Sequence, residues 1–238
     1  MFLLILLNQI ACEELKDSRF PRILRAVARR KRNYVCDNSD METLAPTPDD
    51  AIIDITRSWV DEAVIGLNLC PFAKAVQVKR QIRYVVSHAD NRDDLQRDLK
   101  CELMHLRDTD AQVLDTTLLI HPWVLQDFFD YNAFLDLAQE VLEQADLDGE
   151  LQIASFHPDY QFADANTDDI ENYTNRSPYP ILHLLRESSI DRAVDSFPEA
   201  SQIYERNMAT MRSLGLDGWN RQDFVVSKKQ QQLSKKSC

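Results

Sequence analysis

Apolar positions recur along this chain in two rhythms. Ile52, Ile55, Trp59, Val60, Ala63, Val64 and Leu67 fall at three- and four-residue spacing. They follow Thr47-Pro48-Asp49-Asp50, which reads as N-cap, N1 proline and an acid at N3, so the spacing predicts a helix over 48–68. A second stripe, Leu95, Leu99, Leu103 and Leu106, can start from Ser87 or Asp90. A third, Phe134, Leu137, Ala138, Val141, Leu142 and Ala145, is stopped by Gly149. Between the stripes lie β-like runs, each ending in a histidine: Arg83 to His88, Thr116 to His121 and Leu151 to His157.

Strand and helix in strict alternation predict parallel strands with helical crossovers. Ligands in such sheets bind beyond the carboxyl ends of the strands, so His88, His121 and His157 are expected on one rim. Beyond His157 the rhythm stops. Residues 158–180 are rich in Pro, Asp and Asn and carry Tyr160, Phe162, Tyr173 and Tyr179, which predicts a long ordered loop. Short helices follow over 181–187 and 190–196, with His183 and Arg186 one turn apart on the first. A longer helix from Glu199 to Leu214 ends at Gly215. The expectation is one α/β domain over 47–219, with a small, mainly parallel sheet of three or more strands, flanking helices and a helical C-terminal third.

The ends of the chain differ from this body. Residues 1–40 hold eight Lys/Arg and five Asp/Glu, out of totals of 27 and 39, so a basic arm precedes a strongly acidic body. Phe2 to Leu7 is apolar but lacks the basic start and the length of a secretory signal. Residues 1–46 are expected to be an atypical, disordered extension or a mis-assigned start, with Met41 as the natural beginning. Residues 220–238 are expected to be a disordered basic tail. A formal charge of −12 disfavours nucleic acid as a partner, and no apolar run is long enough to span a bilayer. The five cysteines are scattered, which fits reduced thiols in the cytoplasm. None of the four glycines forms a nucleotide-binding fingerprint.

Candidate chemistry gathers at the strand ends and in the long loop. His157 and Asp159 stand two residues apart and could form an acid–base pair; a turn-forming Pro158-Asp159 is the plainer reading. His121, His157 and Asp159 could together hold zinc or iron, although no short His-x-x-x-His motif supports it. Cys70, before Pro71, would cap a short helix whose dipole lowers its pKa and makes it a nucleophile; a buried apolar cysteine is the alternative. In the loop, Glu171 could move protons and Arg176 could clamp an anion, with Asn172, Tyr160 and His183 beside the ligand. The resulting expectation is a cytoplasmic enzyme acting on a small polar or anionic metabolite. The rival is a non-catalytic ligand-binding or regulatory protein with structural histidines. Oligomeric state is not legible.

Three stretches carry a resemblance. Gly66 to Lys74 (GLNLCPFAK), Ser155 to Phe162 (SFHPDYQF) and Glu171 to Glu187 (ENYTNRSPYPILHLLRE) resemble the bacterial family known as domain of unknown function 1415. The resemblance covers roughly 55–215. It implies no activity, cofactor or catalytic residue.

Overall fold

The computed structural model describes residues 48–163, 165–196 and 202–236, with side chains to 233. The expected N-terminal extension and the Met41 start lie outside the described residues.

The first helix, α1 (Pro48–Trp59), runs on into a π-helical turn at Val60–Ile65. That turn closes tightly on Gly66, where an added Cβ would sit 2.3 Å from the Glu62 carbonyl oxygen. The chain then passes through Asn68, at φ 53°, into the short helix α2 (Ala73–Val78). Strand β1 (Ile82–Val86), helix α3 (Arg92–Asp108), strand β2 (Thr116–Ile120), helix α4 (Phe128–Gln144) and strand β3 (Leu151–Phe156) alternate as the periodicity predicts. Side chains cap the two long helices, with Asp94 N–H donating to Asn91 at 3.0 Å, and Phe129 and Asp130 N–H donating to Asp127 at 2.9 and 3.1 Å.

The sheet is not mainly parallel. Its order is β1-β2-β4-β3, and β4 (Ile181–Arg186) lies antiparallel between β2 and β3. Among the described residues, only β1 and β2 pair in parallel, so two of the three pairings are antiparallel. The segment expected as a short helix is therefore a central strand. All six of its residues are buried, because neighbours flank it on both edges and helices cover both faces. Such a strand loses the alternation that identifies a half-exposed one. His183 and Arg186 consequently face opposite sides of the sheet rather than sharing a helix face.

The two faces carry separate cores. Leu118, Ile120, Ala154, Phe156, Ile181 and Leu185 pack against α1. Leu119, Leu182 and Leu184 meet the Leu95, Leu99, Leu103 and Leu106 stripe of α3 and the Phe134, Ala138, Val141 and Leu142 stripe of α4. Each fully buried leucine contributes roughly 1.5–3 kcal/mol. The chain closes with α5 (Glu187–Asp195), α6 (Ile203–Asn220) and α7 (Asp223–Lys236). Within α6 the regular helix breaks at Gly215, as the sequence predicts: its φ of 62° and ψ of 174° are not helical, and a second helical stretch follows across the kink. Where the sequence predicts a tail, α7 buries Phe224 and accepts the Tyr179 hydroxyl proton at Gln231, 2.5 Å away.

Candidate functional site

The carboxyl ends of β1, β2 and β3 do point one way, since β2 and β3 are both antiparallel to β4. His121 and His157 flank the start of β4. His121 N–H donates to the Pro180 carbonyl at 3.0 Å, and His157 N–H donates to Asn175 at 3.3 Å. Both imidazoles are fully buried. The Asp159 N–H donates to His157 Nδ1 at 3.0 Å, which places the ring proton on Nε2, 3.2 Å from the Leu125 carbonyl. His121 Nδ1 lies 3.1 Å from the Val124 carbonyl and so bears the proton. Two strand-end histidines thus hold the 122–127 turn, whose Leu125 sits at φ 55°. Burial pushes His121 down to about 4 and lowers His157 as well, so both rings are neutral.

Tyr131 of α4 completes this cluster, its ring 5.7 Å from His121 and 5.1 Å from His157. Its hydroxyl donates to Ile181 O at 2.8 Å and accepts from Phe156 N–H at 3.1 Å, extending the end of the β3–β4 ladder. Burial raises its pKa well above the ordinary phenol range.

The long loop binds to itself. Asn172 is buried, accepts from Phe162 N–H at 3.0 Å and donates to Asn166 O at 2.7 Å. Arg176 donates to Tyr160 O at 3.2 Å and Thr167 O at 2.8 Å, and its guanidinium lies 4.1 Å from the centre of the Tyr173 ring. Glu171 turns outward to Arg212 on α6, 2.7 Å away. Tyr160 reaches the rim through Phe128, 5.3 Å between rings. Asp159 is exposed. Among the described residues, no group of three or more His, Cys, Asp or Glu side chains is arranged to hold a metal ion. A metal on His157 would have to displace the Leu125 or the Asp159 contact. His121 Nε2 is buried and, among the described residues, has no hydrogen-bond partner.

An open concavity lies at the opposite edge. A cleft of about 500 Å³ runs between α2 and α5, lined by Phe72, Lys79, Gln81, Gln112, Asp115, Ser189 and Arg192 among others. Gln81 and Asp115 stand immediately before β1 and β2, so this is the amino end of those strands. Ser189 donates to Asp115 at 2.6 Å, and Arg192 donates to Ser189 at 2.8 Å. Gln81 braces the far wall by donating to Gln112 O at 2.6 Å.

Behind the cleft is a smaller cavity of about 30 Å³ under α1, lined by Trp59, Val64, Cys70, Ile82, Thr116 and His183 among others. Val76 and Asp115 line both spaces. Cys70 does not cap a helix, because α2 begins at Ala73 with Phe72 as its N-cap residue. Its thiol is buried, 1% exposed. His183 lies 2.7 Å from Thr116 Oγ1 through Nε2. Thr116 donates its own proton to Leu184 O at 2.6 Å, so His183 Nε2 is the donor and Nδ1 carries a lone pair. Among the described residues, that lone pair has no hydrogen-bond partner. Burial pushes the His183 pKa down to about 3.

Of the residues the sequence points to, the fold brings His121, His157 and Tyr160 together around Phe128 and Tyr131, and Asn172 with Arg176 at the Thr167 carbonyl. It does not bring Cys70 and His183 to the rim. Lys79, Asp115, Ser189 and Arg192 carried no motif. Their meeting depends on β4, which delivers α5 to the amino edge.

A family model described as a protein of unknown function, DUF1415, matches residues 51–221, and the chain belongs to that family. No curated protein and no solved structure matches it.

Proposed function

We propose that this family member binds a small anionic molecule in the cleft between α2 and α5, with the rim histidines serving as structural ties. The observation that carries the reading is the open 500 Å³ concavity with Lys79 and Arg192 on its walls and apolar surface from Phe72 and Val76 beside them. Among the described residues, Lys79 and Arg192 outnumber Asp115, the one acidic side chain lining the cleft, which lies 3.9 Å from Arg192, and so favour a carboxylate or phosphate there. A cytoplasmic setting belongs to the same proposal. An enzymatic reading is favoured by one observation, the shared cavity of Cys70 and His183.

Calorimetric titration with inorganic phosphate and with straight-chain carboxylates tests the binding reading. Lys79→Ala and Arg192→Ala should each weaken binding about tenfold. Unchanged affinity in both variants, or no binding by either class of anion, refutes it.

A further inference from the structure

The cavity under α1 is separated from the cleft by a slight partition. Helix α2 has six residues and buries none of them fully. Two non-glycine residues with left-handed backbones bracket its segment, Asn68 at φ 53° and Arg80 at φ 57°. Gln77 ties it down, donating to Asp61 at 2.9 Å and accepting from the Tyr84 hydroxyl at 3.1 Å. Beyond it, the lining is apolar except for Cys70, Asp115, Thr116 and His183. A volume of 30 Å³ accommodates roughly two water-sized groups, which is the size of a hydroxymethyl end.

An imidazole nitrogen buried without a partner loses its hydration for no return. Thr116 fixes the His183 tautomer so that the nitrogen left over is an acceptor. A group recognised here must therefore be a donor. It must also be slim, and it must follow the apolar wall from the cleft.

We propose that the cavity is the deep subsite of the cleft, taking the terminal hydroxyl of an ω-hydroxy carboxylate whose carboxylate stays with Lys79 and Arg192. The hydroxyl donates to His183 Nδ1, and the methylene chain passes Val76. Cys70 forms part of the wall and takes no chemical part. This inference rests on the binding reading of the cleft.

The test compares straight-chain carboxylates from butyrate to octanoate with their ω-hydroxy counterparts on the full chain. At the length that fits, the hydroxy acid should bind about fivefold to tenfold tighter than its parent. In His183→Gln the amide nitrogen can still donate to Thr116, but the Nδ1 acceptor is gone. That variant should erase the preference of the hydroxy acid over its parent. In the wild-type protein, the ¹⁵N resonance of His183 Nδ1 should move upfield with the hydroxy acid and not with the parent, which gives a readout independent of the variant's folding. Parents that bind through Lys79 and Arg192 with no hydroxy preference at any length overturn the deep subsite and leave the cleft reading intact. A preference that survives in His183→Gln, or an Nδ1 resonance that stays fixed, overturns it too. If neither series nor phosphate binds, the cleft reading fails and the subsite falls with it.

Discussion

The two ends of the sheet use similar residues differently. At the carboxyl end, His157 spends both ring nitrogens on the backbone, His121 spends one, and Tyr131 fills the last rung of the ladder. At the amino end, His183 spends only one nitrogen, Cys70 lines a cavity with it, and a cleft opens beside them. The rule that ligands sit at strand carboxyl ends belongs to parallel sheets, where crossovers leave a crevice. Here an antiparallel strand starts between β2 and β3 at that rim, and the loop leading into it closes the crevice. The same strand ends at the opposite edge and launches α5, whose Ser189 and Arg192 wall the cleft. One inserted strand moves the opening from one edge to the other.

The largest effect is expected where β4 ends. Arg186 is buried, and its guanidinium reaches the carbonyls of Leu106, Thr109 (2.6 Å) and Leu114 (3.2 Å). These tie the end of α3 and the 109–114 turn, which forms the far wall of the cleft. Arg186→Met leaves those carbonyls in a dry site without donors. It should cost about 3–5 kcal/mol in denaturant unfolding and weaken anion binding with it. A loss under about 1 kcal/mol contradicts the idea that this arginine builds the wall.

Next in size is pH. Unfolded histidine titrates near 6.5, whereas burial depresses His121 to about 4 and His183 to about 3. The unfolded chain therefore takes up protons first as the pH falls. The stability tied to these neutral rings is complete above about 6.5 and drains away below it, until the folded pKa is reached. Each ring should cost up to about 1.4 kcal/mol per pH unit in that window, or about 2 kcal/mol between pH 7 and pH 5. His183→Gln should flatten the unfolding-midpoint profile over that range by one ring's share. A profile as steep as that of the wild type means His183 is charged or solvated in the folded state. Tyr131→Phe sharpens the other side of the comparison. It strips the Phe156 N–H of its acceptor at the closed rim and should cost about 1–3 kcal/mol at every pH below the phenol's titration.

Much of the fold was legible in the sequence. The Leu95–Leu106 and Phe134–Leu142 stripes are helix faces because each covers one side of a sheet. β1, β2 and β3 were legible because apolar β-rich runs separated by helices leave few alternatives. β4 was not. Ile181-Leu182-His183-Leu184-Leu185-Arg186 is buried on both faces, so neither a period of two nor one of 3.6 survives, and His183 and Arg186 mimic a helical turn. The site suffered from that single misreading. The rim histidines could be found, because a strand end marks them. Their partners could not, because Leu125 and Val124 accept through backbone oxygens that leave no trace in residue type. Lys79, Asp115, Ser189 and Arg192 are ordinary surface residues until the topology brings them together.

A smaller effect concerns the helix between cleft and cavity. Cys70 should react slowly with iodoacetamide, since α2 and the π-helical turn cover it, while the part-exposed Cys101 serves as an internal reference. Gln77→Ala removes the ties to Asp61 and Tyr84 and should raise the Cys70 rate severalfold without altering that of Cys101. Equal rates before and after the change indicate that the partition does not open on this route.

The smallest effect belongs to the third strand-end histidine. His88 stands on the same rim as His121 and His157, yet its side chain is 68% exposed. It meets Asp49 at 2.8 Å and stacks on Trp123 at 4.9 Å, pinning the start of α1 to the turn after β2. An exposed pair of this kind is worth little, because water and salt screen it and two side chains lose freedom to make it. A double-mutant cycle with His88→Ala and Asp49→Ala should give a coupling of about 0.5 kcal/mol that shrinks as salt is raised. A salt-independent coupling several times larger marks His88 as part of a buried network like its two neighbours. If the value is small, the three histidines differ by burial alone: strand position put them on one rim, and the loop packed over two of them gives those two their structural weight.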